Sequence, residues 1–194
     1  MADTGIGAAV RRKEDHRFIQ GIGKYTDDIV LQNQTYASMV RSPHAHATIN
    51  GIDASAALAM DGVVAVLTAA DFAAFGGLPC GWQVIGKAEE PMKEPKHPIL
   101  AEGKVRHVGD PVAVVIAESK VAAQDGAEAV VVDYSELPAA IDMNGALSGG
   151  AELHEEAPGN LCYDWELGDR AAVDAVFQGA PHVTSLALLN NRLS

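Results

Sequence analysis

His44 and His46, in the run RSPHAHA from Arg41 to Ala47, come nearest of all residues in this chain to a recognisable chemistry. On an extended chain residues two apart point the same way, so the two imidazoles would share a face and could grip zinc or copper. A metal site needs further ligands. Asp53 is the closest carboxylate, and His16, His97, His107, His154 and His182 are scattered. The run is therefore expected to be a packed, hydrogen-bonded bend or subunit contact built on Arg41, His44 and His46, and no metal ligand is assigned.

Two other patterns invite a chemical reading. Phe18 to Asp28, FIQGIGKYTDD, has the paired glycines of a dinucleotide loop, but Thr26 stands at the third glycine's place, no strand leads in and no helix follows. A glycine-shaped bend is expected there. Cys80 and Cys162 lie far apart with different flanks, which fits two reduced thiols rather than a metal or disulfide framework. Neither Glu102, Glu118 nor any other acid is assigned as a catalytic base. From Gly76 to Pro98 four glycines and four prolines interrupt regular structure, and a loop of that length is a lid, a binding loop or a surface excursion. Trp82 and Gln83 are its candidate contact residues, with Trp82 expected as a hydrophobic foot packed on protein.

The elements that position these segments follow from periodicity. Lys104 to Pro138 reads as strand, helix, strand: Val112 to Ala117 is apolar on successive residues, as in a strand covered on both faces, Ser119 caps a helix over 120–129, and Val130 to Tyr134 is β-branched. Upstream, 35–41 alternates as a half-buried strand, 48–52 and 63–67 are strands flanking a short alanine-rich helix at 54–60, and Thr68 with Asp71 opens a helical turn. Downstream, 139–143 is expected to add a short strand, and 144–160 reads as a linker. Residues 162–167 and 183–189 are expected as strands around a helix at 171–177. That last group is too small to bury a core and reads as the opening of a second domain. Ending the chain near Gly149 is accordingly expected to leave a better-behaved monomer.

Composition limits the function classes. The chain has 194 residues, 48% hydrophobic but only 5% aromatic, so its core is aliphatic and small-sided. A net charge of −12 opposes a phosphate backbone, which argues against nucleic acid as partner. No apolar run reaches the length of a membrane span, and 1–18 carries no apolar stretch of signal-peptide length, so the expected location is the cytoplasm.

The ordered motifs FIQGIGKYTDD, RSPHAHA, GVVAVLTAADF, HVGDPVAVVIAE, VDYSELPA and the closing NNR at 190–192 resemble the N-terminal part of the molybdenum-binding large subunit of the molybdenum hydroxylases. This is the carbon monoxide dehydrogenase, aldehyde oxidase and xanthine dehydrogenase family, and the likeness runs over residues 8–193. The resemblance implies an α+β fold, an α/β hammerhead domain with a mixed sheet and a few covering helices, followed by a short βαβ start of a second domain. It implies an N-terminal arm at 1–17, the hammerhead at 18–143, a linker at 144–160, and the start of the molybdopterin-binding domain at 161–194. A molybdopterin-type molybdenum cofactor is implied for the complete enzyme, with iron-sulfur clusters and FAD on partner subunits or domains, and none of these in this chain. The implied role is structural, with Trp82 and Gln83 beside a substrate channel and no turnover by the chain alone. A stand-alone interaction or small-molecule-binding module with the same fold is the alternative.

Overall fold

The computed structural model describes residues 5–9 and 11–188. In chain order the elements are α1 (Asp15–Phe18), β1 (Tyr36–Arg41), β2 (Ala47–Asp53), α2 (Ser55–Leu58), β3 (Val63–Thr68), β4 (Lys104–Val105), β5 (Pro111–Ala117), α3 (Lys120–Ala129), β6 (Val131–Glu136), α4 (Met143–Leu147) and α5 (Arg170–Gly179). They fall into two compact units. The first takes the residues up to Gly76 and Pro98–Leu137, and the second takes Gly77–His97 and the residues from Pro138 on.

The first unit is an α+β fold, as expected, but its strands form two three-stranded sheets rather than one. One has the order β1-β5-β3 and the other β4-β2-β6, with antiparallel pairing throughout. Each strand-helix-strand stretch therefore crosses between sheets: β2-α2-β3 passes one way and β5-α3-β6 returns. Periodicity recognises the elements, but partners are set by which apolar faces meet.

β5 lies between β1 and β3, and its burial explains its sequence. Val112, Ala113, Val114, Val115 and Ala117 are all buried. Val112 and Val115 are three apart and so project from opposite faces. Val112 joins Ala47, Ala101 and Val105 in one cluster, whereas Val115 joins Ala57 and Val130 in another. Ile52 and Val132 pack against both clusters and join the two cores. β1, at an edge, alternates half-buried and exposed residues over its whole length.

Helix α3 spans the predicted residues, and Ser119 Oγ accepts from Ala122 N at 3.1 Å. Its closeness to the sheet depends on Gly126. A methyl group there would stand 2.9 Å from Val115 Cγ1 and 3.0 Å from Val63 Cγ2. The Thr68–Asp71 turn also follows the sequence, with Thr68 N donating to Asp71 Oδ2 at 2.7 Å, and ahead of α2, whose cap position is Ala54, Ser55 N donates to Asp53 Oδ1 at 2.9 Å. That second bond sits beside the side-chain bond from Ser55, the larger cause holding the Asp53 carboxyl below its ordinary range.

The second unit departs most from expectation. Residues 139–142 are not a strand. Asp142 instead caps α4, accepting from Gly145 N at 2.7 Å, so the last residue of the supposed strand, Met143, and 144–147 of the supposed linker are helical. Residues 162–167 and 183–188 form no strand among the described residues, so the βαβ reading there is corrected to a lone helix, α5, capped by Asp169. A strand is stabilised by a neighbour in register, and that is what the described residues lack. Leu189 and the NNR motif at 190–192 lie outside the described residues. The expected N-terminal arm is helical at its end, where α1 begins at Asp15.

Ending the chain near Gly149 would remove partners of the 77–97 segment, because Lys93 N donates to Cys162 O and Lys87 N to Asp164 O, each at 2.8 Å. The expected benefit of that shortening is therefore offset by a loop left without its hydrogen-bond acceptors.

Gly126→Ala tests the close approach of α3. One methyl too many in a packed core costs about 1–3 kcal/mol, against about 1 kcal/mol regained from helix propensity. A net loss of up to about 2 kcal/mol is expected in urea unfolding, by the same comparison. Gly51→Ala, where a methyl meets nothing within 4 Å, is expected to stay within about 0.5 kcal/mol of the parent.

Candidate functional site

The residues singled out from the sequence divide between the units. Arg41, His44 and His46 belong to the first, and Trp82 and Gln83 to the second.

RSPHAHA is a bend between β1 and β2, not an extended chain, so the premise for two imidazoles on one face is not met. Ser42 is its centre and is 2% exposed. Its N–H donates to Asp110 O at 2.9 Å, and its carbonyl accepts from Gly109 N at 2.8 Å. Its hydroxyl accepts from His44 N and donates to His44 O, both at 3.0 Å. Arg41 Nη1 donates to Gly109 O at 2.9 Å. Gly109, at φ +86°, makes the turn that brings its main chain to Ser42, a conformation in which a side chain would be strained. Asp110 Oδ2 accepts from Arg106 N at 2.9 Å and stands 3.6 Å from His107 Nδ1.

VDYSELP closes the same joint from β6. The His44 ring meets Tyr134 edge-on with centroids 4.9 Å apart, and His44 Nδ1 lies 3.4 Å from Glu136 Oε1. His46 is buried, and its carbonyl accepts from Leu137 N at 2.9 Å. The Tyr134 hydroxyl is buried beside Ser42, and burial pushes its pKa above the ordinary phenol value, with Asp110 adding in the same direction. Three segments distant in sequence, 41–47, 106–110 and 134–137, thus meet through main-chain bonds and one buried phenol. Ser42, Asp110 and Tyr134 were missed by a search for chemistry because each acts through packing or main chain. Their presence in the motifs that carried the resemblance was the available signal.

This joint holds strands together; it does not assemble a catalytic set. Among the described residues no group of three or more His, Cys, Asp or Glu stands close enough to hold a metal ion. Beside α3, Asp27, Tyr36, Ser38, Lys120 and Gln124 line an open polar depression of about 460 Å³. The Lys120 ammonium is bonded there to Asp27, which raises its pKa.

In the second unit, Glu94 organises the turn that carries Trp82 and Gln83. Its Oε1 accepts from Cys80 N at 3.1 Å, and its Oε2 accepts from the Gln83 amide. Cys80 Sγ donates to Trp82 O at 3.1 Å. Beyond the turn Met92 N donates to Val84 O at 2.9 Å and Gly86 N to Glu90 O at 2.8 Å, and Leu78 N donates to His97 O at 2.7 Å across the neck. Lys87 pairs with Asp164, whose hydrogen bond and charge raise the lysine pKa. The expected packing of Trp82 is overturned: the side chain is 79% exposed on a tethered turn. Glu94 could have been suspected only from the turn chemistry of the loop.

A sequence model described as aldehyde oxidase and xanthine dehydrogenase, a/b hammerhead domain, matches residues 20–138. The chain is 39% identical over 184 residues to the nicotine 6-hydroxylase large subunit of Paenarthrobacter nicotinovorans, covering 93% of this chain and 21% of that one. It is 39% identical over 198 residues to the carbon monoxide dehydrogenase large chain of Hydrogenophaga pseudoflava, covering 95% and 24%. The crystal structure of a Cu,Mo-CO dehydrogenase in its carbon monoxide reduced state superposes with a TM-score of 0.71 at 34% identity, over 92% of this chain and 23% of that one. The chain thus spans about a fifth to a quarter of the length of these relatives.

Tyr134→Phe tests the buried phenol. Because the folded-state pKa is raised, the contribution of the neutral phenol is intact below its ordinary value of 10.0 and is lost as pH rises through the higher folded value. The parent is expected to lose stability between pH 8 and pH 10.5 by urea unfolding, and the variant to lose less, while the two differ at pH 7 by under about 1 kcal/mol. Equal alkaline losses would remove the phenol as a cause.

Proposed function

The chain belongs to the aldehyde oxidase and xanthine dehydrogenase family, whose a/b hammerhead domain it carries at residues 20–138, and from that premise we propose that it is the N-terminal structural portion of the large subunit of a molybdenum-dependent hydroxylase. The observation that carries this reading is the run of similarity along 92–95% of the chain, beyond the hammerhead itself, within relatives four to five times longer. The same run supports reading 18–143 as the hammerhead, 144–160 as the connection and 161–194 as the start of the molybdopterin-binding domain.

The described residues do not fit a molybdopterin. The buried polar groups of the Ser42 joint are turned on one another, and the depression beside α3 is crossed by the Lys120–Asp27 pair. The molybdenum cofactor is therefore assigned to the rest of the subunit, and iron-sulfur and flavin groups to partner subunits or domains of a cytoplasmic enzyme. This chain's contribution is a rigid support, and Trp82 with Gln83 on their tethered turn are its proposed contact with the substrate channel. No turnover is expected from these 194 residues alone.

Tagging the chromosomal gene near its start and weighing the purified product tests the reading. The expected product is four to five times this chain's 20.3 kDa and holds stoichiometric molybdenum. A metal-free 20 kDa product would establish the stand-alone module instead.

In that complete enzyme Trp82→Ala and Gln83→Ala are expected to raise KM several-fold with a smaller change in kcat, since they remove contacts made equally to substrate and transition state. Steady-state parameters identical to the parent's would take both residues out of the channel.

A further inference from the structure

Glu94 fixes not only where Gln83 stands but which way round its side-chain amide faces. Both carboxylate oxygens are committed to the turn: Oε1 accepts from Cys80 N at 3.1 Å, and Oε2 accepts from Gln83 Nε2. A carboxylate accepts and cannot donate, whereas an amide carries an NH2 on one side and a carbonyl on the other. Only the NH2 suits Glu94. The reverse orientation would set two acceptor oxygens against each other with no proton between them, and the bond would be lost. The Gln83 carbonyl oxygen is therefore held on the side turned away from Glu94, on an exposed residue.

The neighbouring residue is held in the same way. Cys80 Sγ donates to Trp82 O at 3.1 Å, while Met92 N to Val84 O and Leu78 N to His97 O close the hairpin on either side. Trp82 is itself exposed. Adjacent positions on one tethered turn thus offer a flat apolar ring and a single acceptor of fixed polarity. The group that matches them is a planar ring bearing a neutral N–H or O–H. A carboxylate or phosphate does not match, because its charge would meet the Gln83 carbonyl with the Glu94 charge behind it.

We propose that Glu94 is a specificity-determining residue acting through Gln83: by fixing the polarity of that amide it selects, at the Trp82 turn, substrates whose planar ring carries a neutral hydrogen-bond donor. The proposal rests on the reading of Trp82 and Gln83 as a contact with the substrate channel. Glu94→Gln separates polarity from shape. A glutamine at 94 both donates and accepts, so the Gln83 amide is free to face either way and its preference for a donor disappears.

The experiment uses 3-hydroxybenzaldehyde, 3-methoxybenzaldehyde and 3-carboxybenzaldehyde at pH 7, where a phenol is neutral. Each is measured with the complete tagged gene product as a substrate or, where it is not turned over, as an inhibitor competing with the enzyme's substrate. The parent is expected to favour the hydroxy over the methoxy compound by about tenfold in kcat/KM or Ki, the worth of one hydrogen bond, with the carboxy compound poorest. Glu94→Gln is expected to bring the hydroxy and methoxy compounds within about twofold of each other, the change falling mainly on KM, and Gln83→Met to do the same. The parent's own preference tests the proposal whether or not a variant folds: a parent that treats hydroxy and methoxy alike, or binds none of the three, overturns it. A Glu94→Gln enzyme that discriminates as the parent does, while Gln83→Met does not, overturns the role of Glu94 and leaves the channel contact standing. If Gln83→Met and Trp82→Ala both leave all three compounds unchanged, the channel contact falls and the proposal with it.

Discussion

The first unit depends on β5 being covered on both faces. Val115 meets α3 and Val112 meets the second sheet, so neither sheet has a complete core without this strand. The requirement explains its composition, since a strand with two buried faces cannot alternate with polar residues. It also explains the alanines and glycine of α3. With small side chains at 122, 123, 126 and 127, the helix lies near enough for Val115 and Val63 to contact its backbone at Gly126. A chain poor in aromatic residues gains density by close approach, because dispersion is lost steeply when a gap opens.

The polar joint does for the sheet ends what β5 does for the cores. The bulge in the pairing of β1 with β5 falls at Val40 and Arg41, where β1 gives way to the bend. Ser42 satisfies both of its main-chain groups on 109–110 there, while its hydroxyl closes the turn on His44. A buried bend needs this complete pairing, for each unsatisfied main-chain group would cost on the order of 1–3 kcal/mol. The motifs that look most like chemistry in the sequence, two histidines, an aspartate and a glycine turn, are largely used in fixing where strands begin and end.

Much of the first unit was legible in the sequence because local patterns agree there with tertiary need. The run at 112–117, the Ser119 cap, the Thr68–Asp71 turn and the alternation of β1 each state their own structure. Strand partnership was not legible: an antiparallel pair across two sheets and a parallel crossover in one sheet demand similar runs of residues. In the second unit the same apolar alternation that suggested strands at 162–167 and 183–189 is present without a neighbouring strand among the described residues. Of the candidate site, Arg41, His44 and His46 do meet at one place, but Ser42, Asp110 and Tyr134 bind that place together. Trp82 was misjudged because a large aromatic side chain is ordinarily a packing residue.

The exposure of Trp82 contrasts with how firmly its backbone is held. The turn around Trp82 is heavily tethered, with Glu94 holding it from two sides and main-chain bonds closing both the hairpin and the neck. Such tethering restricts the side chains it carries, yet the indole it presents buries little of its own surface. Stability of these residues gives no reason to immobilise an exposed tryptophan, since the ordering entropy is lost and little apolar area is gained. The arrangement makes sense where a second body arrives at the turn, because an anchor fixed in advance loses less entropy when it is covered. The exposed apolar residues of α5, Val173, Val176 and Phe177, obey the same logic. In this part of the chain, apolar exposure goes with well-capped and bonded backbone, the combination expected of surfaces shaped for burial by something else.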